Sequence, residues 1–139
     1  MKLADINAIG GVLSALRINC IKDKGAKDAV SDSFLSVRKA LRPFEKDKDE
    51  LVEKFRSDWK DEIRTILSKK EGGHEAYYAA ERDLNGAILK MLDEREADVT
   101  FSHVKADILY SPELWGDKIT LGEIDDMVSF LVKHGVAEE

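Results

Sequence analysis

The chain has 139 residues, 43% hydrophobic and 36% charged, with 9 Gly and 2 Pro, a composition that predicts one folded domain rather than a disordered segment. No run of about 18 apolar residues is present, which excludes a membrane-spanning helix, and the lone Cys20 excludes an internal disulfide and a thiolate-only zinc site. A net charge of −6 disfavours nonspecific binding to nucleic acid.

Charge is unevenly spread. Residues 1–70 hold 16 Lys/Arg against 12 Asp/Glu, a net of +4, whereas residues 71–139 hold 6 against 16, a net of −10. Opposite halves favour folding of one back along the other, or antiparallel association of two chains. Asp5 interrupts the apolar run that a signal peptide needs, so a cytoplasmic location is expected.

The first helix is expected to begin after Asp5 as N-cap, with Ile6, Ile9, Leu13, Leu16 and Cys20 on one apolar face. Gly10-Gly11 weaken it by roughly 1 kcal/mol each relative to alanine, unless they serve the close approach of another helix. Asn19 to Gly25 reads as a connector. A long second helix follows from about Ala26 to Lys70, with a heptad seam at Val30, Phe34, Val37, Leu41, Phe44, Lys48, Leu51 and Phe55. Beyond Phe55 the spacing shifts to Trp59, Ile63 and Ile66, as in a stutter. Pro43 lies inside the seam and predicts a kink, in preference to a break, because the apolar pattern continues across it.

Lys69-Lys70 and Gly72-Gly73 mark the end of that helix and a hairpin turn. The third helix is expected from His74 to Ala97, with Tyr77, Ala80, Leu84, Ile88 and Met91 on its inner face. Alternation predicts a short strand or extended segment over Val99 to Val104. Ser111-Pro112 opens a helical turn that Gly116 stops, and the Thr120 to Glu123 capping box opens a last helix. Leu121, Ile124, Val128 and Leu131 face inward on that helix, which ends at His134-Gly135.

These elements predict a mainly α fold: a kinked long helical hairpin, forming an antiparallel coiled-coil-like stalk, with a small helical head and at most one or two short β segments near the C-terminus. In one domain, the head takes 1–46 and 98–139 and the stalk 47–97.

Chemical motifs are sparse. His74-Glu75 begins like a zinc-protease helix, but Tyr78 occupies the second ligand position, so a solvated first turn is the preferred reading. His103 and His134 are isolated in sequence. Asp125-Asp126 and the Asp93 to Asp98 cluster read as solvated acidic surface, the latter suited to a basic partner. Cys20 reads as a small buried hydrophobe. No phosphate loop or nucleophile elbow occurs, and neither a catalytic residue, a metal nor a cofactor is expected.

The leading helix, the long charged helix with Leu41-Arg42-Pro43-Phe44-Glu45, the hairpin return and the tail Ile119 to Leu131 extend over most of the chain. In this plan it resembles small uncharacterised helical proteins encoded in phage and prophage structural-gene regions. The resemblance implies an accessory or assembly role, virion-associated if the chain is phage-encoded, and supplies no catalytic residues.

The expected function is therefore non-enzymatic protein–protein interaction or assembly. Phe55, Trp59, Ile63, Tyr78 and Leu92 cannot all enter one two-helix seam, so a homodimer through the stalk is expected to cover them. The alternative is a nucleic-acid-binding accessory protein using Lys24, Lys27, Arg38, Lys39 and Arg42. A metal-dependent enzyme ranks third.

Overall fold

The computed structural model describes residues 1–67 and 74–139, so the expected helix end at Lys69-Lys70 and the turn at Gly72-Gly73 lie outside the described residues. The chain is mainly helical, with two short strands near its C-terminus. It divides into two compact units, Met1–Leu41 with Glu96–Glu139, and Arg42–Arg95.

In the first unit, α1 (Leu3–Ala15) starts earlier than Asp5 predicts. The backbones of Lys2 and Glu96 pair as an isolated antiparallel β-bridge, and the Ala97 N–H donates to the Met1 carbonyl at 3.0 Å. That pairing fixes the chain ahead of the helix, leaving Asp5 in the first turn, where its charge still suits the helix dipole. Leu3, Ile6, Ile9, Leu13 and Leu16 are buried, each contributing about 1.5–3 kcal/mol. Cys20 is a correction. The helix stops at Ala15, a 3-10 turn follows at Ile18–Cys20, and the thiol is exposed because the helical period no longer reaches it.

The next helix, α2 (Lys24–Asp58), begins inside the expected connector. Asp23 caps its first turn, Oδ2 accepting the Ala26 N–H at 2.8 Å. A Cβ built on Gly10 would lie 3.0 Å from Val37 Cγ1, whereas one on Gly11 would meet nothing within 4 Å. Only the first glycine serves the approach of α1 to α2. Val30, Val37 and Leu41 of the seam are buried.

Over Val99 to Val104, where a short strand or extended segment is expected, the strand forms only at the end. Of those residues only Val104 enters a strand, β1 (Val104–Lys105), which pairs in parallel with β2 (Ala137–Glu138). Upstream, helix serines take the place of a partner strand: Ser36 Oγ accepts the Thr100 N–H and Ser33 Oγ accepts the Ser102 N–H, both at 3.0 Å.

A four-residue helix, α5 (Ala106–Leu109), was not legible in the sequence. The turn at Pro112–Leu114 forms as expected, although the Ser111 side chain makes no capping bond, and Gly116 follows with φ +104°. Trp115 is buried and donates its indole N–H to the Leu109 carbonyl at 2.6 Å.

The last helix, α6 (Leu121–Lys133), has Thr120 Oγ1 accepting the Glu123 N–H at 3.2 Å while the same hydroxyl meets Glu123 Oε1 at 3.1 Å. Ile124, Val128 and Leu131 are buried, but Leu121 is 71% exposed, contrary to expectation. Helical side chains lean toward the N-terminus, so this first residue overhangs the core. At the other end the Val136 N–H bonds the Leu131 carbonyl and the Gly135 N–H that of Val132, a Schellman closure with Gly135 at φ +77°.

The second unit is an antiparallel helical hairpin. α2 continues through Pro43 without a break, so the proline removes one N–H donor but does not end the helix. A turn at Trp59 separates α2 from α3 (Lys60–Leu67), where the seam spacing changes. Helical bonding nevertheless carries across, from the Trp59 N–H to Phe55 and from the Ile63 N–H to Trp59. The returning helix, α4 (Glu75–Glu94), starts where expected and ends three residues before Ala97. His74 occupies its N-cap position, and Arg95 is extended and pairs with Asp47 at 2.8 Å.

Candidate functional site

The hairpin is built on few deeply packed side chains. Among the described residues of Arg42–Arg95, Phe44 alone is buried. The inner face of α4, with Tyr77, Ala80, Leu84, Ile88 and Met91, is half-buried at every position. Two helices in contact cover only one stripe of each other, so this partial exposure follows from the architecture.

An aromatic cluster occupies the distal part of the hairpin. Tyr77 lies 5.5 Å from the Phe55 ring and 6.0 Å from Trp59, edge-on to the latter, and Phe55 lies 6.4 Å from Trp59. Tyr78 joins from the adjacent position at 5.4 Å and is 46% exposed. Such tilted and edge contacts suit the ring quadrupoles. Burial of the Tyr77 phenol, followed by its hydrogen bond to Glu81, raises its pKa above the ordinary phenol value. His74 Nδ1 stands 3.4 Å from Glu62 Oε2 across the two helices.

The structure brings Phe55 and Trp59 together inside the hairpin against Tyr77, whereas Tyr78 meets Tyr77 and His74 and stays exposed. Ile63 and Leu92 are half-buried. Sequence reasoning missed Leu89, which is 61% exposed on α4. Its signal was present: Tyr78, Arg82, Asn85, Leu89 and Leu92 follow one another by four, three, four and three.

Of the basic residues, Lys24, Arg38, Lys39 and Arg42 are exposed and Lys27 is half-buried. The Arg38 guanidinium lies 6.0 Å from the Phe34 ring centroid. Exposed Asp28 and Asp32 fall within the same stretch and offset its charge.

Two clefts open in the first unit. One, of about 260 Å³, has Cys20, Lys22, Ser111 and Glu113 around an apolar floor of Ile21 and Leu114. The other, of about 320 Å³, is lined by Asp107, Tyr110, Ser129, Val132 and Glu139. At its edge the Tyr110 hydroxyl donates to Asp125 Oδ1 at 2.9 Å, a bond that raises the phenol pKa. Neither lining includes a histidine. Among the described residues no three His, Cys, Asp or Glu side chains stand together as a metal donor set, and the His134 ring lies 4.6 Å from that of Phe130, tilted by 57°. Also among the described residues, no helix is long and apolar enough to cross a membrane.

Comparison with protein-family models, with curated proteins and with solved structures finds no match to the chain.

Proposed function

We propose that this chain is a non-enzymatic interaction or assembly protein whose working surface is the hairpin Arg42–Arg95, and that it associates with itself through that hairpin. One observation carries the reading. The hairpin holds Phe55, Trp59, Tyr77, Tyr78, Leu89 and Leu92, yet among its described residues only Phe44 is buried. Large apolar side chains left partly in water forgo a share of the roughly 1.5–3 kcal/mol that full burial of each gives, which a protein partner recovers. The plan of the chain, similar to that of small phage and prophage helical proteins, supports an assembly role.

The test is site-specific photo-crosslinking in the producing cell. A photoreactive residue at Trp59 or Tyr78 is expected to yield discrete protein adducts, and one at Ser14, exposed on α1, is not. Adducts from Ser14 with none from the hairpin would contradict the reading.

A further inference from the structure

α4 carries two stripes with heptad spacing. The first, Tyr77, Glu81, Leu84, Ile88 and Met91, is half-buried throughout, with Tyr77 against Phe55 and Trp59. The second is displaced by one residue: Tyr78, Arg82, Asn85, Leu89 and Leu92. One residue rotates a position by about 100° around the helix axis, so the second stripe occupies a separate face. On it Tyr78 is 46% exposed, Leu89 is 61% exposed, Arg82 and Asn85 are exposed, and Leu92 is half-buried. An unbroken alternation by four and three keeps a seam straight against a neighbouring helix.

We propose that this second stripe is where two copies of the chain meet, with their α4 helices antiparallel. The proposal rests on the interaction reading of the hairpin and specifies its partner, helix face and orientation. A parallel, in-register pair would set Arg82 against its own copy, and like charges opposed across a seam are destabilising. In the antiparallel pair, seam positions of opposite type face each other. Leu89 then lies across from Tyr78 of the second copy, and Arg82 across from Asn85 of the second copy.

A two-fold axis repeats each pairing, so one sequence supplies both sides of the contact. Arg82 has only donors and the Asn85 side chain offers a carbonyl oxygen, with Glu81 of the second copy beside it, so the polar centre is complementary in charge and hydrogen bonding. Two Tyr78–Leu89 pairs flank that centre, and the same register sets Leu92 against Glu75 of the second copy at each end of the seam. Gly86 lies on one flank, and a Cβ there would meet nothing within 4 Å, which leaves the approach of a second backbone open.

The seam from Tyr78 to Leu92 is about 21 Å long, short for an interface of roughly 800 Å² per partner. Association is therefore reversible on dilution.

Mixed disulfide trapping tests the register. Tyr78→Cys and Leu89→Cys are prepared separately, each with Cys20→Ser and a different tag, and oxidised alone and together in the full chain. Both positions are exposed, and unchanged circular dichroism confirms that the variants fold. The mixture is expected to give cross-linked dimer at least about tenfold above either variant alone, because pairing raises the local thiol concentration. Links within each single variant that exceed those in the mixture would overturn the antiparallel arrangement. Absence of links beside a dimeric unmodified chain would overturn the face. A chain that light scattering finds monomeric at every accessible concentration would overturn self-association, while photo-crosslinks from Trp59 or Tyr78 to another protein would leave the interaction reading standing.

Discussion

Ser33 and Ser102 hold one another through both backbone groups of Ser102: the Ser33 hydroxyl accepts the Ser102 N–H at 3.0 Å and lies 3.3 Å from the Ser102 carbonyl, to which it donates. Ser33 is fully buried. A helix serine thereby does for an extended segment what a neighbouring strand does in a sheet, and Ser36 repeats the device one turn on at Thr100. Ser33→Ala is expected to destabilise the chain by about 1–3 kcal/mol, because it leaves a part-buried N–H without its acceptor. An unchanged thermal melt would show that the segment is not held there.

Gly10 and Gly11 make opposite predictions. Gly11→Ala is expected to stabilise by up to about 1 kcal/mol through helix propensity alone, since its Cβ points into open space. Gly10→Ala is expected to lose that gain, because Val37, fully buried, stands 3.0 Å from the new Cβ. Equal melting temperatures for the two variants would remove the close approach of α1 and α2 from the account.

Thr120→Ala is expected to cost about 1 kcal/mol by removing the acceptor for the Glu123 N–H. Chemical denaturation of this variant beside the unmodified chain measures it, and a difference within error would contradict the cap.

Pro43 is exposed within an unbroken α2. Pro43→Ala is expected to raise the melting temperature, with a gain of up to about 3 kcal/mol where the proline is merely tolerated. A fall would show that the packing around it requires the proline geometry.

The helices were legible where one physical signal dominated. The seam from Val30 to Phe55 marked α2, the Thr120 to Glu123 pair marked the start of α6, and His134-Gly135 marked its closure. The failures have a common cause in tertiary partners. Leu16 leaves the helix as Arg17 gives its N–H to the Leu114 carbonyl, so the period that placed Cys20 inside was not continued. In the β-branched run Val99 to Val104, alternation alone does not separate a strand from an extended segment, and serines on a helix take hydrogen bonds that a partner strand would make. At the hairpin, the aromatic residues were legible as a surplus over one seam, but the second stripe was not separated from the first. Both stripes are present in the spacing, and which of them faces inward shows only once Tyr77 is seen against Phe55 and Trp59 with Tyr78 left outside.

Light scattering of the full chain over a dilution series, beside Leu89→Glu, tests the central claim most directly. The account predicts that the unmodified chain approaches twice its single-chain mass as concentration rises, and that Leu89→Glu remains at the single-chain mass with unchanged circular dichroism. A single-chain mass throughout, or a dimer indifferent to Leu89→Glu, would contradict it.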